Sequence, residues 1–346
     1  MIKYVTVAGA GKKLTQHVKN SREAQRMAVQ YSRPLADITD LINENIAALQ
    51  RHTAYLEGRA LTVNEMEENL YIPKIRLQLT ELKNPITVCT SAQCCEVYLE
   101  NNKKQHYYKQ RCHDPCFLNN IPEDMIGSSD LMYCATMNSQ YYCKKCSCHY
   151  SKHMHVFYLI RKVEEQVWEQ DQTNLKMKTR NALEIVLKEL LETLRAMEAE
   201  YKQEREIVVR IMAKFSYFLA HNGSLLTEDA YQKYLSYVIS RETRYGPDEE
   251  LLNHYKSMLS DYINEKNNIK AKLASRGEEL YSFSLEDILD CIEVIYDLKH
   301  TGNVLRELYR VQLKCLDSNK ASNGKPGTST TVDKLESAWN KKKSTN

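Results

Sequence analysis

The chain is 346 residues long, with 42% hydrophobic and 27% charged residues, the composition of a folded globular protein and not of a disordered one. Glycine and proline together number 17, well under the roughly 12% usual for the pair, so turns are few and long helices are expected. The net charge is +3, but residues 320–346 alone carry +4, which leaves −1 for the rest and excludes the broad basic surface of a nonspecific nucleic-acid binder.

In chain order, residues 1–17 (Met1-Ile-Lys-Tyr-Val-Thr-Val) have neither the long apolar core nor the basic flank of a signal peptide and read as a flexible N-terminus. Val7-Ala-Gly-Ala-Gly-Lys-Lys13 lacks the first glycine and the final hydroxyl of a phosphate-binding loop. Residues 18–85 form an N-terminal helical segment. A helix is predicted over 20–56, kinked or restarted at Pro34. Leu35, Ile38, Leu41, Ile42, Ile46 and Leu49 recur at three- and four-residue steps. A shorter segment near 61–70 precedes Pro73, and Ile75-Arg-Leu77-Gln-Leu79 alternates like a strand.

Residues 86–158 carry nine of the eleven cysteines and five of the ten histidines. Apolar periods are sparse there, so something other than hydrophobic burial must order the stretch. Helices are predicted from about Leu159 onward, in a domain spanning 159–316. Leu183, Leu187, Leu190, Leu194, Met197 and Tyr201 step 4-3-4-3-4. Glu204 interrupts the stripe, and Val208, Ile211, Phe215 and Phe218 resume it. This is a coiled-coil-like pattern, free either to pair with a second copy or to fold back after Asn222-Gly223. Further helices are predicted at 227–243, 248–275 and 284–316, with Gly246-Pro247 and Ser284 as starts. Residues 317–346 read as a disordered basic tail whose Lys341-Lys342-Lys343 is a solvated run. No apolar run reaches the roughly 18 residues of a membrane span. A cytoplasmic protein is expected, a nuclear one being the alternative.

The Cys/His spacings are Cys89-x4-Cys94, Cys112-His113-x2-Cys116, Cys134, Cys143-x2-Cys146-x-Cys148 and His153-x-His155. Interleaved cysteine and histidine point to a metal, with disulfides suiting small secreted domains instead. Structural Zn2+ takes four such ligands in a closed tetrahedron, so two ions are expected. The first would be held by Cys89, Cys94, Cys112 and Cys116, the second by Cys134, Cys143, Cys146 and His153. Cys148, His113 and His155 are the alternates, with Cys95, His106 and His149 as further candidates. An interleaved division, with the first and third pairs sharing an ion, is the competing arrangement. Cys143-x2-Cys146 matches half of a zinc-deaminase signature, but neither His106-Tyr107-Tyr108 nor His113-Asp114-Pro115 supplies the His-x-Glu half. Tyr107, Tyr108, Lys109 and Arg111 would suit base stacking on single-stranded RNA, although tyrosines often simply cover metal loops.

The run Val88-Cys89-Thr90, Cys94, Cys112-His113-Asp-Pro-Cys116-Phe-Leu118, Leu131-Met-Tyr-Cys134-Ala-Thr-Met137, Cys143-Lys-Lys-Cys146-Ser-Cys148 and His153-Met154-His155 resembles a little-characterised family of large P-loop GTPase-like proteins. In that family a septin-type or immune-associated nucleotide-binding G domain precedes a helical, cysteine-rich region. Ser21-Arg-Glu-Ala24, Arg33-Pro34-Leu35 and Phe215-Ser-Tyr-Phe218 resemble its flanking helices. The resemblance covers about 18–315 and implies the family's C-terminal half without its G domain. Ser147 stands where the pattern expects glycine, and Cys95 and His149 are additional to it.

The expected fold is mainly α: an elongated antiparallel helical or coiled-coil array with an inserted, loop-rich two-zinc module. The expected function is a non-enzymatic zinc-binding scaffold or interaction protein with protein partners, among them a GTPase or a second copy joined through 183–218. The alternatives are an accessory region of a GTPase-like system, a RING-like ubiquitin ligase module, and single-stranded RNA binding.

Overall fold

The computed structural model describes residues 22–100, 103–118, 126–167, 179–222, 229–244, 248–274 and 285–322. Among them helix dominates, in line with the mainly α expectation, beside a small antiparallel sheet. The segment expected at 1–17, residues 323–346 of the tail expected at 317–346, and the predicted helix boundaries at Gly223, Gly246-Pro247 and Ser284 lie outside the described residues; residues 317–322, expected as disordered tail, instead continue the last helix. No helix among the described residues is long and apolar enough to cross a membrane.

A first helix, α1 (22–30), turns at Tyr31 into α2 (Ser32–Glu57). Pro34 falls in the first turn of α2, where a missing N–H costs no intrahelical bond. It therefore belongs to the start of a second segment. The predicted stripe is buried, but so are Asp37, Asp40, Asn43, Glu44 and Asn45 on the other faces, which makes α2 a central helix enclosed on most sides. Around it pack α4 (Arg180–Asn222), α5 (Ala230–Arg244), α6 (Glu249–Ala274), α8 (Gly302–Ser322) and strand β1 (Ile72–Cys89). The short α3 (Val63–Glu68) is closed by a Thr62–Glu65 capping box.

Buried charge on α2 is matched by partners on α2 itself and on the surrounding elements. Arg33 sits 2.8 Å from Asp37, and Tyr158 and Tyr234 donate to the same carboxylate at 2.8 and 3.1 Å. Lys162 lies 2.7 Å from Asp40 and 2.8 Å from Glu44, and Tyr255 also donates to Asp40. Satisfied in this way, the carboxylates avoid the cost of a buried unpaired charge.

The heptad stripe lies on one helix of 43 residues, α4. Leu183, Leu194, Tyr201, Val208, Ile211, Phe215 and Phe218 are buried, and Leu187, Leu190 and Met197 pack against the same core. Because α4 faces α2, α3, α6 and α7 (Leu285–Tyr296), the stripe is consumed within the chain. The apolar stripe that could have served self-association through 183–218 thus packs against the protein's own helices.

The single helix expected over 284–316 is two, α7 and α8, separated by a turn at 297–301. At Gly302 an added Cβ would stand 2.3 Å from the Tyr296 carbonyl oxygen, so the close approach of the two helices depends on glycine. The turn is anchored on α4. Glu204 accepts from the His300 N–H and the Thr301 hydroxyl, both at 2.7 Å. The residue that interrupts the stripe is thus the docking point of this turn.

The sheet departs furthest from expectation. β1 runs 18 residues, well beyond Ile75–Leu79. Its antiparallel partner β5 (His153–Val167) is a strand where a helix was predicted from Leu159. The charged stretch Arg161-Lys-Val-Glu-Glu-Gln166 follows no clean two-residue pattern, because one face is only half covered. A third strand, β4 (Arg111–His113), joins the other edge of β1. A separate hairpin pairs β2 (Cys95–Glu100) with β3 (Lys103–Tyr108). The β1–β5 ribbon has α2 and α8 against it and carries the Cys/His segment at its far end.

Candidate metal centre

The far end of the ribbon alternates strictly. Ile86, Val88, Met154 and Val156 form a small apolar cluster. The intervening Thr87 and Cys89 face His155 and His153 in register, because successive strand residues point to opposite sides. On that second side the buried cluster consists of Cys89, Cys94, Cys112, Cys116, Cys134, Cys143, Cys148 and Met137, with Leu118, Cys146 and Tyr150 against it. The core of this module is therefore mostly sulfur, and all its cysteines are free thiols.

Local turns aim these side chains inward. Cys94 lies in a short 3-10 turn after β1, and Cys134 follows another at Ser129–Tyr133. Across Cys143-Lys-Lys-Cys146-Ser-Cys148, the Ser147 N–H donates to the Cys143 carbonyl and the Cys143 N–H to the Cys148 carbonyl, both at 2.8 Å. Ser147 adopts φ 60°, the left-handed conformation that glycine takes most readily.

The ligand atoms converge in three groups, each with its members within 4.8 Å of one another: Cys89, Cys94, Cys146 and Cys148; Cys112, Cys143, Cys146 and His153; and His113, Cys116 and Cys134. Bonds of about 2.3 Å to a tetrahedral ion would set sulfurs about 3.8 Å apart. Cys94 and Cys148 are 3.8 Å apart, and Cys116 and Cys134 are 3.7 Å apart. The mixed pairs are shorter, as shorter metal–nitrogen bonds require: 3.2 Å from His113 Nδ1 to Cys134 Sγ and 3.3 Å from His153 Nε2 to Cys146 Sγ.

All eight residues first assigned to two sites are in these groups, and so are the alternates Cys148 and His113. Their division differs from the sequential one. Cys89 and Cys94 meet Cys146 and Cys148, whereas Cys112 meets Cys143, Cys146 and His153, and Cys116 meets Cys134 and His113. Strand pairing is the cause. The β1–β5 register sets Cys89 opposite His153 and Thr87 opposite His155, and β4 sets His113 opposite Thr87. The pairing of β4 is irregular between Thr87 and Val88, where Cys112 is the unpaired residue, and Cys112 and His113, adjacent on β4, join different groups.

The remaining candidates Cys95, His149 and His155 lie outside the three groups. Cys95 donates to the Cys89 carbonyl at 3.3 Å, and burial pushes its thiol up to about 11. His149 Nδ1 accepts from the Ser151 N–H, and its ring packs on Tyr142 and Tyr150. His155 lies outside the third group, its Nε2 donating to the Cys116 carbonyl at 3.1 Å.

Burial sets the protonation of these thiols. Burial pushes Cys112 up to about 12 and raises Cys89 further, so a thiolate there needs a cation beside it. Cys134 is down to about 5 because Cys116 hydrogen-bonds to it, and Cys116 is correspondingly driven up. Desolvation lowers His153, keeping the imidazole neutral. Its Nδ1–H donates to the His149 carbonyl at 3.0 Å, which turns the Nε2 lone pair toward the cysteines, the usual orientation of a ligating histidine. Gln93 Nε2 donates to Cys148 Sγ at 3.0 Å, and the Ser91 and Lys145 amides donate to Cys89 and Cys143 at 3.5 and 3.4 Å.

Beside the hairpin lies a cavity of about 600 Å³ lined by Tyr98, Tyr107, Lys109, Arg111, Arg161 and Arg241 among others. Lys109 pairs with Glu96 at 3.4 Å and Arg111 with Asp114 at 2.7 Å.

Compared with known proteins, residues 81–159 match a domain of unknown function, DUF8206. The matched stretch runs from the middle of β1 through the Cys/His segment into β5. No curated protein and no solved structure matches the chain.

Proposed function

We propose that the chain is a non-enzymatic scaffold in which Zn2+ orders the module at the end of the β1–β5 ribbon and the helical body holds that module for a protein partner. The observation that carries this reading is the sulfur core: the cluster that would elsewhere be leucine and valine is eight cysteines with a few apolar neighbours. A set of four thiolates and a mixed set of three thiolates with one imidazole suit zinc's tetrahedral preference. The two four-membered groups would close their tetrahedra and leave no open position for the water that zinc hydrolysis activates. Single-stranded RNA binding is the weaker reading, because Lys109 and Arg111 already neutralise Glu96 and Asp114.

The test is metal analysis of the purified chain followed by chelation. The expected result is a colourless protein that carries zinc and loses the protease resistance of residues 86–158 when zinc is withdrawn. A metal-free preparation whose melting ignores chelator, or a brown iron–sulfur absorbance, overturns the reading.

A further inference from the structure

Two of the three ligand groups are not separate. Cys146 belongs to both the group of Cys89, Cys94 and Cys148 and the group of Cys112, Cys143 and His153. Removing Cys146 from either leaves three protein ligands. Those six partners are each buried, which leaves little access for water to complete a second tetrahedron. Cys146 itself is half-buried and sits between the two sets. A thiolate has lone pairs enough for two cations, and the six thiolates of the combined set more than neutralise two divalent ions.

We propose that Cys146 Sγ is a bridging thiolate that joins two metal ions into one binuclear cluster, with a third ion held separately by His113, Cys116 and Cys134. Seven side chains then complete two tetrahedra. His155, outside that group as placed, would close the third ion by a small shift of its ring. This residue stands opposite Thr87 from β5 as His113 does from β4. With its Nε2–H given to the Cys116 carbonyl, its Nδ1 is buried without any hydrogen-bond partner. A buried imidazole nitrogen without a proton or a partner is costly, and a metal bond removes that cost. The proposal rests on the zinc reading above and adds to it the count and the shared ligand.

Native mass spectrometry should find three ions per chain. In the 113Cd-substituted protein, the Cys146 β-protons should correlate with two cadmium resonances, whereas those of every other ligand cysteine correlate with one. Cys146→Ala should retain one ion, because both members of the pair lose a ligand together, and Cys116→Ala should retain two. Should Cys146→Ala fail to fold, the cadmium correlations of the unaltered chain decide the matter. Metal binding with the Cys146 protons coupled to a single cadmium, or two ions kept in Cys146→Ala, overturns the bridge and leaves the zinc reading standing. No bound metal overturns both.

Discussion

Lys162 Nζ lies 2.7 Å from Asp40 Oδ2, an ion pair enclosed between β5 and α2. It binds the strand that begins at His153 to the helix at the centre of the body. Glu44, at 2.8 Å, shares the same ammonium. Burial alone would raise Asp40, but Lys162 and then Arg241 outweigh it and hold the carboxyl below its ordinary range. Burial would lower Lys162, and Asp40 and Glu44 reverse that, raising it.

Lys162→Met leaves two carboxylates facing an uncharged side chain and should cost about 3–5 kcal/mol, the range for breaking one side of a buried pair. Urea unfolding at neutral pH reads this directly. The pH dependence has a definite sign. A depressed carboxyl contributes stability that is present above its unfolded value near about 4 and lost as pH falls through its lower folded value. The advantage of the unaltered chain over Lys162→Met should therefore hold through the neutral range and shrink in strong acid. An advantage that grows on acidification would contradict the pairing.

Glu204→Ala removes the acceptors of the His300 N–H and the Thr301 hydroxyl and should destabilise the chain by about 2–4 kcal/mol, two hydrogen bonds to a charged group being lost. The loss should be local, with amide exchange accelerated around His300 and Thr301. Uniform exchange across α4 and α8 would mean that the turn is not anchored there.

Ser147→Gly should be neutral or stabilising by up to about 1 kcal/mol, because φ 60° costs a side chain and not glycine. Ser147→Val should destabilise the module by more than about 1 kcal/mol and weaken metal retention. Chelator challenge of the two variants side by side measures the ordering.

Cys95→Ser and His149→Ala should keep the full metal content, since neither residue belongs to a ligand group, whereas Cys112→Ser and Cys143→Ser should lose metal. Metal analysis of the four variants separates ligands from bystanders. Loss in Cys95→Ser equal to that in Cys143→Ser would move Cys95 into the coordination set.

The helices were legible wherever a stripe was one-sided. Leu183 through Phe218 announced α4, and Leu35 through Leu49 announced α2. The polar burial on α2 was not legible, because Asp37 and Asp40 on an amphipathic helix look solvent-facing until Lys162, Tyr158 and Tyr234 arrive from more than a hundred residues away. β5 was misread for a related reason: its Lys162 and Glu165 suit a helix surface as well as a half-covered strand. The residues that gather in the three groups were readable from spacing alone. Their grouping was not, since it follows from strand register between β1, β4 and β5, a long-range property. The shared position of Cys146 had only one local hint, the crowding of three cysteines into six residues.

The continuity of β1 and β5 has a consequence for folding fidelity. Two strands of 18 and 15 residues could slide past one another, and a slip of one residue would turn every side chain over to the opposite face. Ions held at the Cys89–His153 end would punish that error there, as the Lys162–Asp40 pair does part-way along the ribbon. A bound metal would then act as a proofreader of alignment, admitting only the one pairing in which its ligands meet.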